Sequence, residues 1–297
     1  MTTVAPDTKR DRSTLGAYVA LTKPRIIELL LITTVPTMIV AARGWPGLWR
    51  VVATVIGGTL AAGGANAVNM YVDRDIDKIM NRTKGRPLVT GEIEPRPALI
   101  FSVALLVVAG VWLALFVNVL SAILALSAAA FYIFIYTLWL KRTSRQNIVI
   151  GGAAGCMPVL VAWAAVTNTV AIEPIVLFGI IFLWTPPHFW ALAVKYRDDY
   201  SAANVPMMPS VATIESTARQ IVIYSVAVWG LGVAFAPISG LGWIYLATSV
   251  VAGAMFSWYS WRLLREPTPP RAMRVFTFSI TYLSALFVAM AVDQLVL

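Results

Sequence analysis

Nine stretches of mostly apolar residues dominate this 297-residue chain and constrain its fold more than any other feature. A membrane-spanning helix needs about 20 such residues, and a segment in lipid must satisfy its own backbone polar groups, which favours helices. Only 12% of the residues are charged, whereas a soluble domain would have about 25%. We therefore expect one all-α integral membrane domain covering residues 1–297. Its spans are expected near 25–43, 50–72, 97–116, 119–139, 148–167, 173–195, 218–237, 241–262 and 273–293.

The basic residues alternate between the connections of these stretches. Of the 23 Lys and Arg residues, 21 lie before the first stretch or in loops that follow even-numbered stretches, and only Arg43 and Arg50 lie elsewhere. Basic loops are retained on the cytoplasmic side of a membrane. We therefore expect residues 1–22 to form a mobile cytoplasmic tail, the basic loops to be cytoplasmic, and the C-terminus to lie outside the cell membrane.

Two residue counts exclude whole classes of protein. Cys156 is the only cysteine, so an internal disulfide and a cysteine-based metal cage are both excluded. His188 is the only histidine, whereas a protein that carries electrons on bis-histidine haems needs two axial ligands for each haem. The partners that we expect are the lipid bilayer and small molecules, and not nucleic acid.

Acidic residues gather where the second apolar stretch ends. Asn69, Asp73 and Asp77 are four residues apart, so on a helix they form one narrow stripe, while Asp75 points away from it. Amide and carboxylate oxygens suit Mg²⁺, which binds one or two carboxylates together with substrate phosphates. The stripe therefore predicts a magnesium site.

Basic residues that suit phosphate oxygens follow this stripe. Arg82 and Arg86 come next in the same loop, and Lys141 and Arg142 close the fourth stretch. Guanidinium groups bind phosphate through paired hydrogen bonds. Acids and bases together beside lipid indicate a metal-bridged diphosphate that carries an apolar group.

A second polar group lies near the end of the sixth stretch. Pro186 and Pro187 are expected to break this helix within the membrane, and His188 follows them. An ionisable residue inside a span usually faces a cavity or a partner. Further candidates follow where the stretch ends: Lys195, Asp198 and Asp199.

Residues 69–88, NMYVDRDIDKIMNRTKGRPL, resemble the first aspartate-rich motif of the UbiA-type intramembrane prenyltransferases, with Met70 where the motif has its first acid. Three other stretches are similar to the branch of that family that farnesylates haem. They are LTKPR at 21–25, YTLWLKRTSRQNIVIGGAAGCMPVLVAWAAV at 136–166 and PPHFWALAVKYRDDYSAANVPMMP at 186–209. In the last stretch, Tyr196 and Tyr200 stand where quinone-prenylating relatives have acids.

This resemblance implies nine transmembrane helices around a central cavity that opens to lipid. It implies Mg²⁺ as cofactor, with farnesyl diphosphate and haem b as substrates. The product would be haem O for terminal oxidase assembly, passed to a downstream haem A synthase or to oxidase assembly factors.

The resemblance also assigns roles to the candidate residues. The expected metal ligands are Asn69, Asp73, Asp77, Asp198 and Asp199. The expected catalytic residues are Asp73, Asp77 and Lys195, and the expected diphosphate contacts are Arg82, Arg86, Lys141 and Arg142. His188 lies deeper in the span than the diphosphate site, so we expect it to position haem b.

Two alternative functions remain open at this point. A UbiA-type enzyme acting on an aromatic or quinone precursor would be expected to have the complete second acidic motif. A membrane transporter would be expected to have broken spans in both halves of the chain and acids near mid-membrane, whereas the acids here lie at one end of the spans.

Overall fold

The computed structural model describes residues 12–296, without the side chains of residues 25–31. Within this range the chain forms nine long helical segments, which we name α1 to α9. Their bounds are α1 Pro24–Ala42, α2 Leu48–Val72, α3 Pro95–Phe116, α4 Val119–Thr143, α5 Asn147–Thr167, α6 Ile172–Lys195, α7 Ile214–Ser239, α8 Trp243–Arg265 and α9 Pro269–Val296. Shorter helices lie in the connections, at Thr14–Leu21, Arg74–Ile79, Pro87–Thr90, Arg197–Ala202 and Met208–Val211.

The long helices form a closed ring. Each one packs against its successor, and α9 returns to pack against α1. The ring encloses space that is lined from several of its helices, in keeping with the central cavity that the resemblance implies.

Each predicted span falls on one of the long helices. Among the residues that the structure fully describes, the helices α2 to α7 and α9 are both long and apolar enough to cross a membrane. The prediction of an all-α membrane protein is therefore confirmed. The crossing of the membrane by all nine helices stays a prediction.

Local chemistry explains several helix ends. Asn118 separates α3 from α4, and its side-chain oxygen accepts a hydrogen bond from the Ser121 amide at 2.8 Å. Gly240 ends α7 in the left-handed region at φ 70°, which glycine adopts without a steric penalty. Asp293 of α9 caps α8 from outside, because its two carboxylate oxygens accept from the amides of Gly242 at 2.6 Å and Tyr245 at 2.9 Å.

The expected break at Pro186 and Pro187 is wrong, because α6 runs without interruption through both prolines. Neither proline can donate to the carbonyl four residues before it. In spans, neighbouring helices and hydroxyl side chains compensate for such losses. Here α6 is packed between α5, α7 and α9. The Thr185 hydroxyl adds a hydrogen bond of 2.8 Å to the Ile181 carbonyl, one residue before the first carbonyl that loses its donor.

The expected mobile tail also differs from the structure. Residues 14–21 form a helix that Ser13 caps, and its side chains Ala17 and Leu21 are buried. These two side chains pack against α2, the loop that follows it and the start of α3. The first part of the expected tail, residues 1–11, lies outside the described residues.

Candidate active site

The predicted acidic stripe lies buried at the C-terminal end of α2. Asn69, Asp73 and Asp77 have exposed fractions of 2%, 0% and 2%. The helical hydrogen bonds continue past Val72, since the Asp73 amide donates to the Asn69 carbonyl at 2.9 Å and the Asp77 amide donates to the Asp73 carbonyl at 2.8 Å. The three side chains therefore share one face, as their spacing predicts.

Two contacts join this stripe to α4, and the residues that make them are four positions apart on each of the two helices. Asn69 Nδ2 donates to Thr137 Oγ1 at 3.1 Å, and the Lys141 ammonium forms an ion pair with Asp73 Oδ2. Both partners belong to or directly follow a π-helical segment of α4, Phe131–Leu140. Such segments are rare and frequently occur at functional sites.

The two oxygens of Asp73 have different surroundings. Oδ2 accepts from Asn69 Nδ2 at 2.7 Å and from Lys141. Oδ1 is buried, accepts no hydrogen bond from any described residue, and lies 3.8 Å from the Arg142 guanidinium. A buried carboxylate oxygen without a donor is costly, so Oδ1 is open to a ligand.

Asp77 is paired with a second base. Its Oδ2 accepts from the Arg86 guanidinium at 2.5 Å, and both side chains are largely buried. The loop between them is closed by the Thr83 hydroxyl, which donates to the Asp77 carbonyl at 3.1 Å. The structure thus brings two of the four predicted diphosphate contacts, Arg86 and Lys141, into ion pairs with the acidic stripe.

Asp75 lies off the stripe, as predicted, and is exposed. Both of its oxygens accept from the Arg142 guanidinium at 2.7 Å. These hydrogen bonds from Arg142 lower the pKa of Asp75 to about 2. The pair positions Arg142 beside Asp73, where its own charge faces the stripe.

Sequence reasoning missed Lys23 as a site residue. Its ammonium donates to Asn69 Oδ1 at 2.7 Å. Burial, followed by the positive charges of Arg86 and Lys141, lowers the pKa of Lys23 well below its ordinary value of 10.5. Lys23 lies within LTKPR at 21–25, a stretch that the sequence comparison singled out for its resemblance but to which it gave no role in the site.

The second acidic motif meets the first motif through Asp199. Its two oxygens accept from the Asn81 side chain at 3.1 Å and from the Arg82 amide at 3.2 Å. The Arg82 guanidinium in turn reaches the Tyr200 hydroxyl at 3.4 Å. Asp199 and Arg82 therefore join the two polar loops across the same end of the bundle.

Two other residues of this motif stand apart from the acidic stripe. Asp198 and Lys195 are both exposed. The Lys195 ammonium lies 5.6 Å from the centre of the Tyr196 ring. The structure does not bring either residue to Asp73 or Asp77.

A cavity of about 320 Å³ lies between α1, α2, α4, α5, α6 and α9. Its wall contains Asn66, one turn from Asn69, so the cavity approaches the acidic stripe. Tyr132 and Tyr136 line the wall from the π-helical segment, with their rings stacked 5.3 Å apart. Gly151 leaves room for Tyr136, because a Cβ there would lie 2.2 Å from its ring.

Small residues widen this cavity. Glycines and alanines of α2, α4 and α5 line much of it, including Gly58 and Gly155, beside which a Cβ would meet no atom within 4 Å. Much of the rest of the wall is aliphatic or aromatic. The cavity can therefore hold a bulky apolar group next to a charged cluster.

His188 is buried in the contact between α6 and α9. Its Nδ1 shares a hydrogen bond of 2.7 Å with Ser279 Oγ. The centre of its ring lies 4.3 Å from the ring centre of Trp184 and 4.7 Å from that of Phe276. Trp184 lines the cavity and His188 does not. The structure thus places His188 behind the cavity wall rather than on it, which favours a packing role over the expected contact with haem.

The chain is similar to known proteins in both sequence and fold. Residues 30–287 match the UbiA prenyltransferase family. A relative from Clavibacter sepedonicus, named protoheme IX farnesyltransferase, is 50% identical, and the alignment covers 98% of each chain.

Solved structures share the fold. A digeranylgeranylglyceryl phosphate synthase has a TM-score of 0.79 and 19% identity, with 96% of this chain and 99% of that chain covered. A UbiA homologue from Archaeoglobus fulgidus, bound to GPP and Mg²⁺, has a TM-score of 0.61 and 16% identity, with 92% and 99% covered. With a family match over most of its length, a half-identical relative and these shared folds, the chain belongs to the UbiA prenyltransferase family.

Proposed function

We propose that this protein transfers the farnesyl group of farnesyl diphosphate to a vinyl group of haem b, with addition of water, and so forms haem O. The observation that carries this proposal is a pair of buried carboxylates, Asp73 and Asp77, which basic side chains surround directly beside an apolar cavity. The name of the relative at 50% identity supports haem b as the acceptor.

The residues present fit a magnesium ion. Asp73 Oδ1 is buried and accepts no hydrogen bond from a described residue, and Asn69 and Asp77 add further oxygens on the same face. Among residues 12–296, apart from 25–31, no three His, Cys, Asp or Glu side chains lie close enough to enclose a metal by themselves, so a metal here would need water or substrate oxygens as well. This agrees with Mg²⁺, which takes one or two carboxylates and fills its other positions with water and phosphate.

We assign Mg²⁺ to Asn69, Asp73 and Asp77. The metal would supply positive charge to the diphosphate, as the solved homologue with GPP and Mg²⁺ supports. Asp198 and Asp199 are proposed as ligands from the opposite loop. Asp199 is the better placed of the two, because it already contacts the loop that carries Arg82.

The basic side chains stabilise the leaving diphosphate. Arg86 and Lys141 are held in place by Asp77 and Asp73, and Arg142 is held by Asp75. Charge-assisted contacts with phosphate oxygens favour cleavage of the C1–O bond, because negative charge grows on the diphosphate as this bond breaks. Arg82, in the loop that follows α2, is proposed to contact the diphosphate. Lys195, at the end of α6, is proposed as a further catalytic residue.

The cavity wall protects the allylic cation that this cleavage leaves. Tyr132 and Tyr136 line the cavity from the π-helical segment whose Thr137 contacts Asn69, and the apolar wall excludes bulk water that would capture the cation. The vinyl group then forms a bond to C1. Water adds to the vinyl carbon next to the ring and releases a proton, which leaves a hydroxyethylfarnesyl side chain.

We further propose an orientation in the cell membrane with the N-terminus and the site loops in the cytoplasm and the C-terminus outside. The distribution of Lys and Arg supports this orientation. The product would pass to a haem A synthase or to factors that assemble a terminal oxidase.

Membranes that contain the protein, incubated with farnesyl diphosphate, Mg²⁺ and haem b, test the function directly. We expect chromatography to resolve haem O, and we expect none from membranes with the Asp73→Asn variant at equal expression. Farnesylation of an aromatic acid or quinone precursor instead of haem b would favour the first alternative enzyme. Uptake of a solute without any prenylated product would favour a transporter.

A further inference from the structure

We propose that Lys23 binds the diphosphate of the prenyl donor, and that the segment of residues 12–23 exists in part to hold it there. This inference rests on the function proposed above. We call residues 12–23 the strap. The strap lies against α2 and ends where its last side chain enters the acidic stripe.

One face of α2 receives the end of the strap. Gly63 admits Thr22, because a Cβ on Gly63 would lie 3.2 Å from the Thr22 Cβ. Asn66 Nδ2 donates to the Thr22 carbonyl at 3.2 Å, and Asn69 Oδ1 accepts from Lys23 at 2.7 Å. Because these α2 residues are three apart, they lie along one helix face. That face fixes the direction in which Lys23 enters the site.

The rest of the strap is anchored independently of Lys23. Arg12 donates to both carboxylate oxygens of Glu92, at 3.0 and 2.9 Å. The buried side chains of the short strap helix pack in one cluster with α2, the next loop and α3. The members of this cluster are Ala17, Leu21, Ala67, Met70, Leu88, Ile93 and Ala98. Removal of the Lys23 ammonium should therefore leave the strap in place.

The backbone of Lys23 has an unfavourable conformation for a residue with a side chain. Its φ of 54° and ψ of 61° lie in the left-handed region, which residues other than glycine rarely adopt. A strained residue at a functional site is a recurrent feature of enzymes, because the surrounding structure holds it there. The left-handed backbone conformation of Lys23 turns the chain into α1. The side chain of Lys23 then points to Asn69.

The charges around Lys23 favour an anion as its eventual partner. Arg86 and Lys141 repel the positive charge of Lys23, whereas Asp73 and Asp77 attract it. Those two carboxylates are already paired with Lys141 and Arg86. Among the described residues, Lys23 donates to the neutral Asn69 oxygen alone, and an ammonium group has three donors. A diphosphate in this cluster would offer those donors charged oxygens.

A contact between Lys23 and the diphosphate would also free the side-chain oxygen of Asn69. The oxygen that Lys23 occupies is the amide oxygen through which Asn69 would bind a cation. Transfer of the ammonium to a diphosphate oxygen would release this oxygen for Mg²⁺. Before the donor and its metal bind, Lys23 would thus keep the side chain of Asn69 in the orientation that the metal requires.

The test is equilibrium binding of farnesyl diphosphate and of inorganic diphosphate, each with Mg²⁺ and without haem b, to the purified full-length protein. For Lys23→Met we expect the Kd of both probes to rise roughly 10- to 150-fold, the equivalent of one charge-assisted contact. Lys23→Arg should bind both probes more tightly than Lys23→Met. Lys78→Met is the matched control, because Lys78 is an exposed lysine of the loop that follows α2, and its Kd should equal that of the wild type.

Hydrogen exchange of residues 14–21 separates binding from anchoring. We expect Lys23→Met to leave this exchange unchanged. Faster exchange, together with weaker binding, would overturn the proposal in favour of a purely structural lysine, and unchanged Kd values would overturn it outright. A rise confined to farnesyl diphosphate would also overturn it, because Lys23 would then contact only the prenyl part.

The two proposals fail in different ways. Wild-type protein that binds the donor but forms no haem O contradicts the proposed function and leaves the Lys23 contact to be decided by the Kd values. Wild-type protein that binds neither probe contradicts both. Normal haem O formation with equal Kd values for wild type and Lys23→Met contradicts only the role of Lys23.

Discussion

Lys141 of α4 and Asp73 of α2 form an ion pair in which the carboxylate is fully buried and the lysine side chain is 14% exposed. Asn69 reinforces the pair by donating to the same carboxylate oxygen. Removing one member of such a pair costs about 3–5 kcal/mol, because the other charge stays buried alone. The pair therefore contributes to folding as well as to the proposed chemistry.

A double variant separates these two contributions. We expect Asp73→Asn and Lys141→Met each to lower the Tm of the detergent-solubilised protein and to abolish haem O formation. The combination of both should recover most of the Tm, because no buried charge is left without a partner, yet remain inactive. Recovery of activity in the double variant would contradict both assigned roles.

The pH response of Asp75 follows from its lowered pKa. The folded-state pKa of about 2 lies below the ordinary value of 3.8, so the Asp75–Arg142 pair stabilises the folded state above that ordinary value. The stabilisation is lost as the pH falls through about 2. We therefore expect wild type and Asp75→Asn to have the same pH dependence of Tm between pH 5 and 8, and Asp75→Asn to retain most of the activity. A difference that grows between pH 6 and 5 would contradict this assignment.

Gly58 tests whether the cavity holds the prenyl chain. A leucine there would project into open space in the cavity, so we expect Gly58→Leu to keep its Tm, to weaken farnesyl diphosphate binding, and to accept shorter prenyl diphosphates better. Gly230→Leu is the matched control, because Gly230 also has open space at its Cβ but is exposed and outside the cavity wall. Equal binding by the two variants would exclude the cavity as the prenyl site.

The contacts of His188 favour packing over direct contact with haem. We expect His188→Ala to lose about 2–5 kcal/mol of stability through the space it leaves and the hydrogen bond to Ser279 that it loses. A haem b titration followed by absorbance, on folded protein at low temperature, should match that of the wild type. A selective loss of haem binding at unchanged Tm would instead restore the role expected from the sequence.

Asp293 should matter for stability alone. Its carboxylate caps the first turn of α8 from α9, and loss of a capping side chain typically costs about 0.5–2 kcal/mol. We expect Asp293→Ala to lower the Tm and to leave haem O formation intact below that Tm. Gln294→Ala, at the neighbouring position, should change neither quantity.

The acidic stripe could be predicted because it depends only on helical periodicity within one segment. The positions of Asn69, Asp73 and Asp77 are set by hydrogen bonds that continue past Val72. The family and the all-α fold could be predicted for a similar reason, since motifs and apolar stretches are local features of the sequence. Arg86 and Lys141 contact the stripe as expected. Their segments lie at the same end of the helix bundle as the stripe, and the order of apolar stretches already predicts this.

The features that sequence reasoning missed depend on contacts between distant segments. Lys23 meets Asn69 across 46 positions of the chain, and no local pattern reports that distance. The depth of His188 could be estimated from its position in the span, but its orientation depends on Ser279, 91 positions away. The continuity of α6 through Pro186 was likewise decided by the helices packed around it.

The π-helical segment Phe131–Leu140 makes the active site sensitive to the number of residues in α4. A π-turn closes over one residue more than an α-turn, and each residue of an α-helix turns the chain by about 100°. Deletion of one residue from the α-helical part that precedes the π-helical segment, Val119–Ala130, would therefore rotate that segment and everything that follows. Thr137 and Lys141 would then face away from their partners on α2, although every side chain of the site would still be present in the sequence. In this part of the chain, a single-codon deletion should be more harmful than most substitutions.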